Sequence, residues 1–381
     1  MPKNFFKAVA VMVGYIIGVG MFGMPYLISK AGLLSFFIFL AFIIPTQYFL
    51  HLIYSSIIIS THKYHRLTGY ARVYLGRLGE IVVFIAKMIG AYGALVAYII
   101  ITGIFLNQLL SPYFGGSELI YSSLLFGLEA IIIYFGIGMI ARAELFMTGL
   151  LLLAVSMIVW KGTGAIETMN YQVIDWKYLF VPYGVMLFSF DGGAALPLVA
   201  KLVGRKPKVF KNVIKVSTFI SAVVIIIFTL TIVGISGENT SLDSLAGIKI
   251  ILNDGVIFFS LIFGVLTMVT SFLGVAALIK DTYTWDFGIN KKLAYSLTVF
   301  IPYVMYLVGF KNLINIISFA GAVSGGLCGI ALILIFRKLK KKKRNLELFK
   351  RKPNDMINYF LIGIFILGMI YEIYYFTAMK F

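Results

Sequence analysis

Eleven apolar runs, each about as long as a bilayer is thick, leave this chain few folds to choose from. They fall at 5–30, 33–59, 81–110, 118–140, 144–160, 178–202, 212–235, 250–279, 291–309, 312–337 and 356–377. A spanning helix needs roughly 20 apolar residues. In hydrocarbon every backbone N–H and C=O must be satisfied within the chain, so these runs read as helices. The composition agrees: 61% of the 381 residues are hydrophobic, against roughly 45–50% in a soluble domain. An all-α polytopic membrane protein is expected, with 1–381 forming one transmembrane domain. Met1 to Lys7 lead straight into the first run, so no cleavable signal peptide is expected.

The charges say which way the chain lies. Its formal net charge is +18 with only 13% charged residues. A nucleic-acid binder would spread such an excess over a soluble face; here it falls in alternate loops. One side carries 26 of the 33 Lys and Arg, in the N-terminal segment, the 60–80, 201–215 and 280–292 loops, Arg142 and the 337–352 tail. The other carries six, and Lys87 lies within a helix. The positive-inside rule puts the N-terminus in the cytoplasm and the C-terminus outside. The Lys340–Arg344 cluster anchors the tenth span, with anionic lipid as a second reading. The 60–80 loop reads equally as a gating helix on the inner interface or as a solvated connector. His51, His62 and His65 are expected to pack at that interface. The single cysteine, Cys328, rules out a disulfide framework and a cysteine metal site.

Two runs are interrupted. Gly18-Val-Gly20-Met-Phe-Gly23-Met-Pro25 lies in the first, and Phe188-Ser-Phe-Asp191-Gly-Gly-Ala-Ala-Leu-Pro197 in the sixth. Glycine and proline are poor helix formers, and freed backbone groups in lipid need a wet cavity or protein partners. Helices one to five and six to ten, roughly 5–160 and 178–337, each begin with a broken helix. Five being odd, the second half starts from the opposite face. That is an inverted five-plus-five repeat with an additional helix at 356–377, and paired breaks point to a transporter's midplane site.

The glycines at 18 and 20 follow no strand, so no dinucleotide fingerprint exists, and no Walker motif suggests ATP. A helix restarting at Met21 to Gly23 offers amides to a carboxylate. Carbonyls near Ile16 to Gly18, and near Phe188 and Ser189, offer acceptors to an ammonium. A zwitterionic amino acid fits both poles. Asp191 is the intramembrane charge inside a break: a proton acceptor, a partner for a substrate ammonium, or a cap on the Gly193 or Ala194 amide. Glu129, mid-helix, and Glu372, near the outer end of the last helix, are the other intramembrane carboxyls. Lys87, one to two turns from the inner surface, is expected to snorkel. Hydroxyls at Thr267, Thr270 and Ser271 share a face of helix eight. With the carbonyls of Gly14 and Ile17 they suggest a Na⁺ site, or they bond back to their own helix.

Gly18-Val-Gly-Met-Phe-Gly-Met-Pro25 with Ser29-Lys-Ala-Gly32 resembles the first helix of the amino acid–polyamine–organocation superfamily. Phe188-Ser-Phe-Asp-Gly192 is similar to its sixth-helix motif, and Thr270-Ser-Phe-Leu-Gly-Val275 to the eighth helix of the tyrosine and tryptophan permeases. The resemblance implies a LeuT-type fold and amino acid import by alternating access, with H⁺ or Na⁺ as coupling ion and no other cofactor. Carried over residue by residue, it implies a substrate site at Gly18, Gly20, Met21, Phe22, Gly23, Phe188, Ser189, Phe190, Asp191 and Gly192, closed by Tyr92 or Tyr98. Asp191 stands where the aromatic branch carries a histidine, which leaves polyamine or peptide substrates, or exchange, as alternatives. Some H⁺-coupled relatives carry a lysine in helix five; the run 144–160 has none. A membrane enzyme would need a polar cluster at one interface, and a channel would saturate only weakly and give no uphill accumulation. The partners expected are an amino acid and the bilayer of the plasma membrane, without nucleic acid or ATP.

Overall fold

Where the runs are unbroken, one helix fills each. In chain order these are α3 (Leu33–Ser60), α5 (Arg77–Phe114), α6 (Glu118–Phe135), α7 (Ile140–Gly162), α10 (Pro207–Ser236), α11 (Asp254–Asp281), α12 (Lys291–Leu307) and α15 (Asp355–Ala378). The computed structural model describes residues 4–61, 63, 65–135, 140–249, 254–342, 348–349 and 354–378. His62, Lys343 and Arg344, and the first residues of the 250–279 run, lie outside them. Among the described residues, nine helices are long and apolar enough to cross a membrane, and a bent pair makes a tenth. At 17 residues, α12 sits at the lower limit for a span.

The first run divides into α1 (Phe5–Ile16) and α2 (Gly20–Ala31), bent by 47°. The sixth divides into α8 (Pro182–Ser189) and α9 (Leu196–Val203). A third division was not legible in the sequence: the tenth run is α13 (Leu313–Phe319), a π-helical stretch Ala320–Gly325, and α14 (Gly326–Lys342). Its Ala-Gly-Ala-Val-Ser-Gly-Gly sequence has too little side chain to hold a regular turn against neighbours. A Cβ at Gly321 would collide with the Gly184 carbonyl, so only glycine lets this stretch lie on α8.

The 60–80 loop contains α4 (Leu67–Leu75), packed on α5 and α14. The other connections fold tightly. Gly32 turns α2 into α3 at φ +85°, and its missing Cβ makes room for Val173 and Ile174. Leu33 and Leu34 donate their amides to Gln172 and Val173 carbonyls at 2.9 Å. The segment joining the two halves is thereby tied to the first hairpin. The two broken helices lie side by side, α2 on α8 and α1 on α9, and α10 packs against α1, α2 and α3. Across from them α11 packs on α5 and α7. The site lies between these two groups.

Candidate functional site

The first break satisfies part of its backbone within itself, and the second also draws on side chains of α3. In the first, the amides of Met21 and Phe22 turn back to the carbonyls of Gly18 and Val19 at 3.2 and 3.1 Å. The helix therefore restarts at Gly20, earlier than the sequence suggests, and the amides at its open end are those of Val19 and Gly20. In the second, the Phe190 and Asp191 amides reach the Met186 and Phe188 carbonyls at 3.1 and 3.2 Å. Gly192 N–H donates to His51 Nε2 at 3.0 Å, and Gly193 N–H to Asp191 Oδ1 at 2.9 Å. Gln47 Nε2 donates to the Leu187 carbonyl at 3.1 Å. The Phe188 carbonyl, expected to await a cation, is already engaged by Asp191's own amide. Asp191 does cap the resumed helix, at Gly193.

A cavity of about 110 Å³ opens between the breaks, lined among others by Gly18, Gly20, Phe188, Ser189, Asp191 and Tyr98. Six of the residues expected from the sequence thus line one cavity. The others do not line it. Phe22 packs edge-on against Phe105 and Phe228. Gly23 faces Ile314 and Ile317, and Gly192 faces Ile16 and His51. Met21 and Phe190 are buried in the core. Tyr92 bonds to Tyr283 Oη at 2.8 Å and to the Leu297 carbonyl at 3.1 Å, on another side of α5. Tyr98 is the tyrosine at the site: its hydroxyl lies 3.1 Å from where a Gly18 Cβ would be.

The sequence reading missed a whole wall. Lys87, Gly90, Ala91 and Ala94 line the cavity with Tyr98, and this spacing of three, four and seven residues is one helix face. The stripe is small and polar on an otherwise apolar helix, a signal the sequence does carry. Lys87 does not snorkel. It lies ten residues into α5, about 15 Å from the helix start at 1.5 Å per residue, and turns into the cavity beside Asp191. Among the described residues it has no ion pair within 4 Å. Ala320, Gly321, Ser324 and Gly325 of the π-helical stretch form the facing wall.

Gly14, Ile17, Thr267, Thr270 and Ser271 do not line this cavity. Thr267 donates to the Phe263 carbonyl and Thr270 to the Thr267 carbonyl, at 2.8 and 2.9 Å, each within its own helix. Glu129 is buried in α6, away from the cavity.

Next to the cavity lies a smaller pocket of about 20 Å³ that shares Lys87 and Asp191 with it and adds Gln47, His51, Tyr54, Leu67 and Cys328. His51 is 2% exposed. It is not interfacial as expected, because α3 runs nine residues past it. His65 does stay near the end of the bundle, edge-on to Tyr70. Below the small pocket, Arg66 bonds Asp281 at 2.9 Å and lies over the Trp285 ring at 5.8 Å. This pair pins the start of α4 to the end of α11. Arg66→Ala is expected to raise the rate at which a small thiol reagent labels Cys328 a few-fold, about what the ~1 kcal/mol of a partly exposed ion pair allows. Cys328 is the chain's one cysteine, so the labelling needs no engineered background. An unchanged rate would show that α4 does not cover the pocket.

No curated protein matches the chain. Among solved structures it is similar to MhsT in complex with L-phenylalanine, with a TM-score of 0.68 and 14% identity over 98% of both chains. That likeness establishes the LeuT-type fold. The family model for the tryptophan/tyrosine permeases matches residues 1–372. The chain belongs to the tryptophan/tyrosine permease family, and is a multi-pass amino acid transporter rather than an enzyme.

Proposed function

We propose that the protein imports aromatic amino acids across the plasma membrane by alternating access, with the proton gradient coupled through Asp191. The observation that carries this reading is a carboxylate at the second break, facing the cavity beside a lysine. A proton on that carboxyl changes the charge of the site, and the charge change is what a gradient can act on. Aromatic substrates are supported by the family's description and by the phenylalanine bound to MhsT. Tyr98 and Phe188 line the cavity, and an aromatic side chain can stack on their rings. The substrate carboxylate goes to the open end of α2, where the helix dipole favours an anion, and the ammonium toward the carbonyls near Ile16 to Gly18.

The charge asymmetry of the loops supports a cytoplasmic N-terminus and an external C-terminus. The repeats 5–160 and 178–337 act as one unit, the broken helices rocking against the group built on α5 and α11.

The test is uptake of a labelled amino acid panel into proteoliposomes, with pH and Na⁺ gradients imposed separately. Tryptophan, tyrosine or phenylalanine is expected to accumulate under the pH gradient alone. Accumulation under Na⁺ alone would move the coupling to Thr270 and Ser271 and leave Asp191 as a cap. Accumulation of polyamines instead would overturn the substrate class.

A further inference from the structure

We propose that the Lys87 end of the cavity reads the side-chain hydroxyl of tyrosine: Asp191 accepts from the O–H, Lys87 and His51 donate to the oxygen, and the site thereby selects tyrosine over phenylalanine. The proposal rests on the reading of the cavity as an aromatic amino acid site.

Three polar side chains from three spans meet where the cavity joins the small pocket. Lys87 of α5 and Asp191 of the second break line both, and His51 of α3 borders the small pocket. They are close enough for their charges to act on one another. Yet each keeps a hydrogen-bonding atom in reserve. Among the described residues, Lys87 Nζ makes no hydrogen bond and no ion pair within 4 Å. Asp191 gives Oδ1 to the Gly193 amide at 2.9 Å, and its Oδ2 takes no bond from a described residue. His51 accepts the Gly192 amide at Nε2, at 3.0 Å, so its neutral ring carries the proton on Nδ1. That Nδ1 is buried and has no hydrogen-bond partner among the described residues. Buried polar groups are costly to leave unpaired, and three of them around one point call for a polar group between them.

The donors and acceptor define that group. Lys87 and His51 Nδ1–H donate, and Asp191 Oδ2 accepts. Their complement is an oxygen with two lone pairs and a proton, which is a hydroxyl or a water. The small pocket, at about 20 Å³, has room for one such oxygen. A substrate that displaces a water from this point must reproduce its hydrogen bonds or lose affinity. The phenol of tyrosine does so with a single atom: its O–H donates to Asp191 and its oxygen accepts from Lys87 and His51. Phenylalanine brings only a C–H to the same place. Tryptophan brings an indole N–H that can donate to Asp191 but offers Lys87 and His51 no acceptor. The chain also places Asp191 within reach of the substrate. Ser189 Cα lies 3.0 Å from where a Gly20 Cβ would be, and Asp191 is two residues further, at most about 7 Å along the chain. With the substrate carboxylate at the open end of α2, the side chain spans that interval beside Phe188, which lines the same cavity.

The test is binding to the purified full-length protein at one fixed pH, with labelled tyrosine displaced by unlabelled tyrosine, phenylalanine or O-methyltyrosine. The wild type is expected to prefer tyrosine to phenylalanine at least about tenfold, since a hydrogen bond to a charged group is worth a factor of that size or more. O-methyltyrosine keeps the oxygen but has no proton for Asp191, and should lose the preference. Lys87→Met removes the donor at nearly constant length, and should lower the tyrosine-to-phenylalanine ratio severalfold. Lys87→Gln keeps an N–H donor and should lower it less. A role in packing alone would weaken both ligands together and leave the ratio where it was. Equal binding of tyrosine and phenylalanine by the wild type overturns the proposal, as does a wild-type ratio in Lys87→Met. Should Lys87→Met fail to fold, the three competitors on the wild type still decide. If aromatic amino acids bind without a preference for tyrosine, this proposal falls and the aromatic reading of the cavity stands. If none of them binds, both fall.

Discussion

Asp191→Asn is expected to abolish accumulation driven by a pH gradient while leaving substrate counterflow within a few-fold of wild type. Each pH unit is worth about 1.4 kcal/mol, so a one-proton symporter under two units can concentrate substrate up to ~100-fold. The variant should fall to about the external concentration. Asparagine suits the test because it separates the two things Asp191 does. The carboxylate accepts the Gly193 amide at 2.9 Å, and Asn is as good a cap as Asp at such a position. The resumed helix and the shape of the cavity should therefore survive. What is lost is the proton. Asp191→Ala would confound the two by removing the cap as well, at about 1 kcal/mol. Undiminished pH-driven accumulation by Asp191→Asn would sink the coupling role and leave the aspartate as a helix cap. Loss of counterflow together with accumulation would make it a partner of the substrate ammonium instead.

Much of this architecture is written in local sequence. Run length and loop charge suffice for the helices, and glycine with proline marks the first two breaks, because both depend on short-range chemistry. The third break escaped because Ala320–Gly325 is apolar and contains no proline, so nothing in hydropathy distinguishes it from a regular helix. The site was half legible for a related reason. Residues inside the breaks are close in sequence, so Gly18, Gly20 and Phe188 to Asp191 could be gathered by eye. Which of them face the cavity depends on helix phase: Phe22 and Gly23 lie on the restarted helix and turn toward other neighbours. The same phase selects Tyr98 over Tyr92 once Lys87, Gly90, Ala91 and Ala94 are seen as one stripe. His51 was out of reach. Its partner Gly192 is 141 residues away, and no periodicity within α3 announces a bond to another span.

Gly20→Ala should be nearly as damaging as the loss of Asp191, by a different route. Gly20 is the first residue of α2, and there the two breaks touch. A Cβ on it would collide with Ser189 Oγ and stand 3.0 Å from Ser189 Cα and Cβ. Ser189 is the last residue of α8, and its hydroxyl donates to the Val185 carbonyl at 2.7 Å. The methyl therefore forces the broken helices apart. Overpacking of this kind costs about 1–3 kcal/mol, and alanine at a helix start recovers little of the ~1 kcal/mol it gains over glycine in a helix interior. Transport should drop at least roughly tenfold, since a shift of about an ångström at a binding site has effects of that order or larger. Ser189→Ala alone removes only a bond to its own helix and should be close to neutral. In the double variant the hydroxyl is gone and part of the clash with it, so a coupling of about 1 kcal/mol is expected in thermal unfolding, with counterflow partly restored. Additive effects of the two substitutions would mean that the breaks do not bear on each other. Wild-type transport by Gly20→Ala would mean that the glycine serves helix unwinding alone. Recovery in the double variant would instead tie the position of one half of the repeat to the other at the cavity between the breaks.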